Sequence, residues 1–315
     1  MENTKTENAM LQGLRDRINK IFVGKEEVVD LVLCCLLGGG HVLLEDVPGV
    51  GKTTLARTLA DSIRCSFGRI QFTPDTLPSD VTGATVYNMK TSEFDYREGA
   101  VMRQVLLADE INRTSPKTQA SLLEAMAEGQ VTVEGTCYPL PTPFFVIATQ
   151  NPIEYIGTYP LPEAQLDRFM MRLAVGYPAK EQELLMARNF LANANESVPD
   201  GVCTAEDILR MKDEVAKVFV SEGVLGYLQE MIDLTRSESK FSLGASPRAL
   251  LALVRASQAY AYINGRDFVK PDDVKAVAVP VLHHRVVLAP EARITKENAD
   301  DILAALVRKA RIPKE

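Results

Sequence analysis

Hydrophobic and polar residues alternate along this chain with two different periods. Leu11, Leu14, Ile18 and Ile21 recur at 3-4-3 spacing and predict an amphipathic first helix. Phe22-Val23-Gly24-Lys25 interrupts it, and a second, more apolar helix runs to Gly38-Gly39-Gly40, a helix-stop signal. Short strand candidates then appear at His41–Leu44, Arg69–Phe72, Val105–Ala108, Phe144–Ala148 and Met171–Val175, and of these Val105–Ala108 and Phe144–Ala148 are continuous apolar runs. Runs of this length with no polar alternation are the mark of buried parallel strands. Helical spacing separates them. Leu55, Leu59 and Ile63 lie on one face, as do Leu122, Leu123 and Met126, the latter between a Ser115-Pro116 start and a Gly129 stop.

Two segments interrupt this α/β alternation. Pro74 to Tyr96, punctuated by Pro74, Pro78 and Gly83, predicts a strand over Ala84–Tyr87 facing Phe94–Tyr96 across a turn. Val131–Val133 and Thr136–Tyr138 flank Glu134-Gly135, a hairpin signal. From Ala179 onward the pattern becomes helical, with starts at Thr204 (Asp207 three residues on), Ser221, Ser246-Pro247, Pro271 and Thr295, and no further strongly buried strand. Val281 to Leu288, around His283-His284-Arg285, fits neither period. The pattern predicts an α/β core over 1–178, with a parallel sheet flanked by helices, and an all-helical domain over 179–315.

Composition narrows the class. A chain of 315 residues is long enough for two domains, and 24% charged with 46% apolar residues is an ordinary globular balance. The net charge of -7 gives no overall electrostatic case for nucleic-acid binding, which leaves only a local basic patch open. Cys34, Cys35, Cys65, Cys137 and Cys203 show no C-x-x-C spacing and read as free thiols in a reducing compartment. With only His41, His283 and His284, a histidine-based metal centre is disfavoured. The polar Met1–Asn8 start carries no targeting signal, and Val28–Leu37 is too short to span a bilayer, so a cytoplasmic protein without an integral membrane segment is expected.

The candidate chemistry begins where the first strand meets a glycine turn. Pro48-Gly49-Val50-Gly51-Lys52-Thr53-Thr54 can cradle phosphate: the glycines let backbone N–H groups point inward, and a helix N-terminus follows. Lys52 would reach the β- and γ-phosphates and Thr53 would ligate Mg²⁺. The full G-x-x-x-x-G-K-[ST] pattern has Gly where this chain has Asp46, so the match is one position short, and a plain glycine turn before a surface helix also fits. Val105–Ala108 ends in Asp109-Glu110, which reads either as a Mg²⁺-holding and water-polarising pair or as an acidic turn. Asn151-Pro152, just past another strand, is a γ-phosphate contact or ordinary turn chemistry.

The order of these elements resembles AAA+ ATPases, and the MoxR family in particular. The resemblance is carried by Leu44–Thr53, Ala108–Arg113, Ala148–Pro152, Leu161–Phe169 and Ala245–Ala249, and extends from about Ile21 to Leu288. It implies an ATP-hydrolysing motor or chaperone that uses Mg²⁺ and remodels partner proteins. Lys52 and Thr53 resemble the Walker A pair, Asp109 and Glu110 the Walker B pair, and Asn151 sensor 1. Arg168 resembles the arginine finger, Arg248 sensor 2, and Val23-Gly24 the adenine contact. Pro74–Tyr96 and Val131–Tyr138 look like the family's helix-2 and presensor-1 insertions. A finger supplied by a neighbour implies a homo-oligomeric ring, a hexamer by resemblance, working beside von Willebrand factor A domain proteins.

Guanidinium groups approaching from more than one side suit a transition state whose charge spreads over phosphoryl oxygens. Arg248 sits in the first turn of its helix, against the dipole, a small cost that points to a functional reason. A magnesium-chelatase-type ATPase subunit is the nearest alternative, separable by its client. An ATP-gated scaffold with little turnover is another, separable by steady-state activity. A GTPase is disfavoured because no N/T-K-x-D tetrapeptide is present, and a DNA motor by the acidic balance.

Overall fold

The computed structural model describes residues 2–46, 49–151, 157–191 and 201–313. Among these, the strands in chain order are β1 (Val42–Glu45), β2 (Phe67–Gln71), β3 (Gly83–Asn88), β4 (Glu93–Glu98), β5 (Val105–Asp109), β6 (Gln130–Val133), β7 (Thr136–Pro139), β8 (Phe145–Gln150), β9 (Met171–Leu173), β10 (Phe241–Leu243) and β11 (Val287–Leu288). Five of them form one sheet in the order β2-β5-β8-β1-β9. β5 pairs in parallel with β2 on one side and β8 on the other; Gln71 stands opposite Asp109 and Ala108 opposite Ala148. The apolar runs account for this placement. Val42–Leu44, Val105–Ala108 and Phe145–Ala148 are buried throughout, as strands covered on both faces must be. Because the registers are level, β5 and β8 emerge from the core together and present their first polar residues side by side.

The helix Lys52–Ser62 buries Leu55 and Leu59 and packs against the first helix, Glu2–Ile21, whose Leu11, Leu14 and Ile18 are buried as their spacing predicts. Each such side chain contributes roughly 1.5–3 kcal/mol relative to exposure. Ser115 caps Pro116–Glu128 by accepting the Thr118 N–H at 3.4 Å, and Gly129 ends that helix at φ 65°.

Both interruptions are hairpins. β3 and β4 pair antiparallel, with Thr85 opposite Tyr96 and Tyr87 opposite Phe94. β6 and β7 meet through Glu134 and Gly135, both at positive φ, as a tight two-residue hairpin turn demands. The Tyr96 and Tyr138 rings stack at 3.9 Å and join the two hairpins, while the Tyr96 hydroxyl donates to the Thr82 carbonyl at 2.6 Å.

The chain divides into two compact units, residues 1–29, 43–161 and 174–209 in one, and 30–42, 162–173 and 210–315 in the other. The second is mainly helical: Glu222–Ser237, Pro247–Ile263, Pro271–Leu282 and Ala299–Lys309 are its longer helices. Ser221 and Ser246 cap the first two of these, accepting the N–H groups of Val224 and Ala249. Thr204 and Asp207 form the reciprocal capping pair predicted from their spacing.

Two expectations are corrected. Thr295 ends the short helix Pro290–Ile294, and the next helix is capped by Asn298, whose side chain accepts the Asp300 N–H at 3.0 Å. The all-helical reading also missed a ribbon in which β10 and β11 pair antiparallel, too short to leave a periodic signal. The ambiguous stretch from Val281 resolves as the end of a helix, a 3₁₀ turn over His283–Arg285, and β11. Among the described residues no helix is long and apolar enough to cross a membrane.

Candidate functional site

A cavity of about 380 Å³ opens in the first unit beyond the ends of β5 and β8. That volume lies in the range of small-molecule sites. Gly49 and Gly51 line it at φ 89° and 87°, a backbone conformation that a side chain would strain. Gly51 precedes the helix Lys52–Ser62, whose first turn takes no side-chain cap, leaving its N–H groups to the loop. The Lys52 ammonium donates to the Asp46 carbonyl at 2.8 Å. Burial pulls Lys52 below the usual lysine range, while Asp109, Asp46 and Glu110 favour its charge. The aspartate that breaks the strict glycine pattern has its own work: its carboxylate accepts the Gly176 N–H.

At the same cavity the level registers put Thr149 beside Asp109. The Thr149 hydroxyl donates to the Asp109 carboxylate at 2.6 Å and accepts the Glu110 N–H at 2.9 Å. One hydroxyl thus holds the Asp109 carboxylate and the Glu110 backbone. Glu110 sits at φ 57°, a left-handed conformation that non-glycine residues rarely adopt, and its carboxylate pairs with Arg113 Nε at 3.0 Å. Arg69, at the edge of the same cavity, donates to Asp109 at 2.7 Å and to Gln71 at 2.7 Å. Asn151 is buried and completes the lining.

Sequence reasoning therefore names seven of the cavity's lining residues: Gly49, Gly51, Lys52, Thr53, Asp109, Glu110 and Asn151. It did not name Arg69 or Gln71, nor Thr149 behind the two carboxylates. Level strand ends next to an acidic pair are the signal that points to Thr149; for Arg69, alternation along β2 places it on the same face as Gln71. Val50 is buried, Thr54 is exposed, and neither lines the cavity. Pro48 lies outside the described residues. Val23 and Gly24 also do not line it, although a Cβ at Gly51 would fall 3.1 Å from the ring of neighbouring Phe22. Gly24 stands at φ 75° with the Gln182 side chain packed on it.

Arg168 and Arg248 belong to the second unit. There, Arg168 Nε is buried without a hydrogen-bond partner among the described residues. Arg248 is two-thirds exposed, with its guanidinium 3.8 Å from the Asp167 carboxylate.

The donor set suits a hard cation with a polyphosphate. Thr53 offers a hydroxyl and Asp109 a carboxylate, the oxygen ligands that Mg²⁺ prefers. Glycine loop and lysine supply positive potential for phosphate. Among the described residues no cluster of three or more His, Cys, Asp and Glu could hold a metal ion.

Comparison with known proteins agrees with this geometry. Residues 41–171 match the model for the ATPase family associated with various cellular activities, and residues 233–306 match the AAA lid domain. The Bacillus subtilis protein YeaC is 50% identical over 302 residues, 95% of this chain and 93% of its own. Chaperone MoxR1 of Mycobacterium tuberculosis is 39% identical over 308 residues, 94% and 81% of the two chains. A crystal structure of a Cytophaga hutchinsonii protein superposes with a TM-score of 0.92 at 40% identity, covering 99% and 98%. With a glycine loop and an acidic strand end lining one cavity, a match to the AAA lid, and MoxR relatives matched over 81% and 87% of their own length, this chain belongs to the MoxR family of AAA+ ATPases.

Proposed function

We propose that the protein hydrolyses ATP with Mg²⁺ and uses the cycle to remodel partner proteins. In this reading Lys52 holds the β- and γ-phosphates, the loop that Pro48 opens wraps them with the backbone N–H groups from Gly49 to Thr54, and Val23-Gly24 meets the adenine. Mg²⁺ would be held by Thr53 and Asp109, neutralising phosphate charge. Glu110 takes the proton of the attacking water, and Asn151 orients that water against the γ-phosphate. Arg248 answers γ-phosphate occupancy from the lid. Arg168 comes from a neighbouring copy, so that catalysis requires a homo-oligomeric ring, a hexamer by family resemblance. The core runs to about residue 178 and the lid from 179.

The observation that carries this reading is the Thr149 hydroxyl holding the Asp109 carboxylate and the Glu110 N–H in a cavity that Lys52 also lines. A bland acidic turn has no need of that arrangement. Support for a protein client comes from the name of Chaperone MoxR1 and from the β3–β4 hairpin, whose Met89 and Phe94 are 84% and 70% exposed. By resemblance the clients are matured complexes, with von Willebrand factor A domain proteins as partners.

Glu110→Gln tests the assignment. Binding of a fluorescent ATP analogue should stay within about threefold, while turnover falls at least about a hundredfold. Undiminished turnover in that variant would sink the catalytic role. Specific ATPase activity should also rise with protein concentration, because a site completed by a second copy is lost on dilution; a flat profile at full activity excludes the shared site.

A further inference from the structure

The His283-His284-Arg285 turn has no part in the scheme above, yet Arg285 is among the most heavily engaged side chains in the second unit. Its side chain is 3% exposed. Nε donates to the Asp167 carboxylate at 2.5 Å. One terminal nitrogen donates to the carbonyls of Met170 at 3.0 Å and Val281 at 2.5 Å. The other donates to the carbonyls of Phe169 at 2.7 Å and Asp167 at 3.3 Å. His284 Nε2 adds a bond to the same Phe169 carbonyl at 3.0 Å. A single guanidinium thus grips the backbone on both sides of Arg168 and ties it to the end of the helix Pro271–Leu282.

Asp167 divides its two oxygens. One receives Arg285, and the other faces the exposed Arg248 guanidinium at 3.8 Å. Burying an arginine is costly unless its fork is fully used, and here the burial does pull Arg285 below its ordinary range while Asp167 opposes the shift. A leucine or methionine would fill such a core position without that cost. The planar fork provides something these cannot, a fixed geometry for four chain oxygens at once.

We propose that Arg285 is the positioning residue for Arg168, setting the backbone from Asp167 to Met170 so that the Arg168 guanidinium projects at one angle. The proposal rests on the reading of Arg168 as the arginine supplied to a neighbour's nucleotide. It predicts that the loss on changing Arg285 passes entirely through Arg168.

A double-mutant cycle on the full-length protein tests it. Arg285→Lys keeps the charge but not the fork. It should lower kcat on the order of tenfold, with KM for ATP and the affinity for a fluorescent ATP analogue changed less than about twofold. Arg168→Ala should lower kcat further, and adding Arg285→Lys to it should cost less than about twofold more. Equal losses in both backgrounds, or wild-type kcat in a folded Arg285→Lys protein, overturn the proposal while leaving the role of Arg168 intact. Full activity in Arg168→Ala instead removes the arginine-finger reading and this inference with it. Should Arg285→Lys fail to fold by circular dichroism, Asp167→Asn takes its place in the same cycle, since it removes one oxygen partner and keeps the carbonyl bonds. A kcat loss that vanishes beside Arg168→Ala supports the coupling, and an additive one refutes it.

Discussion

The two units hold their charged groups in opposite ways. In the first, the acidic pair lies at the rim of a cavity and is held by one neutral hydroxyl, Thr149, with Arg69 and Arg113 as half-exposed partners. In the second, a buried guanidinium binds the carbonyls of a loop whose own arginine, Arg168, has an Nε with no hydrogen-bond partner among the described residues. The difference fits the chemistry proposed for each. In the proposed reaction, carboxylates that meet Mg²⁺ and water exchange partners at every turnover, and contacts through one hydroxyl and two half-exposed arginines suit that. An arginine that acts on another molecule needs a rigid base and an open end, and a buried fork supplies that base.

The comparison is most sharply broken at Thr149. Thr149→Val keeps the shape and removes the hydroxyl, leaving Asp109 and the Glu110 N–H without their shared contact. A hydrogen bond to a charged group is worth about 1.5–3 kcal/mol, so kcat should fall by about one to two orders of magnitude with ATP affinity little changed. Unchanged kcat would show that the carboxylates are positioned by Arg69 and Arg113 instead.

A smaller effect should appear in pH-dependent stability, and in the second unit first. His284 is buried, and burial together with Arg285, His283 and Arg172 holds its pKa well below the usual histidine value, against the pull of the Phe169 carbonyl. The unfolded chain binds a proton there below about pH 6.5, and the folded chain does not. Stability from this residue is therefore fully present above about pH 6.5 and declines as the pH falls, by at most about 1.4 kcal/mol per pH unit. Chemical denaturation at pH 7.5 and 5.5 should show this decline, reduced in His284→Gln. An equal decline in that variant would place the proton uptake elsewhere.

The smallest effect separates the cores from the inserted hairpins. Burial raises the thiol of Cys34, and pushes those of Cys65 and Cys203 up to about 11 and about 12, whereas Cys137 on β7 is exposed. Brief treatment of the native protein with iodoacetamide at neutral pH should modify Cys137 first, as read by peptide mass spectrometry. Early modification of Cys34 would reveal an opening of the second unit, and of Cys65 an opening of the first.

Much of this molecule was legible without coordinates. The buried runs became β1, β5 and β8, and Ser115, Ser221 and Ser246 cap the helices they precede. The hairpins pair Tyr87 with Phe94 and Val133 with Thr136, as the turn residues between them required. Glycine loop, Lys52, Thr53 and the Asp109-Glu110 strand end converge on one cavity. Such features depend on residues a few positions apart, where periodicity, turn chemistry and capping act directly on the backbone.

Arg69, Thr149 and Arg285 are different. Each meets its partner across a long stretch of chain, Arg69 and Thr149 at a separation of 40 residues from Asp109, and Arg285 at 118 residues from Asp167. An arginine on a strand or a threonine at its end has the same local preferences whether it faces solvent or a carboxylate, so nothing in its neighbours along the chain marks it. Local order follows from short-range sterics and hydrogen bonding already written in the residue order. Which side chains hold the acidic pair and which guanidinium grips the Arg168 loop depends on strand register and helix packing, and those exist only once the whole chain has folded.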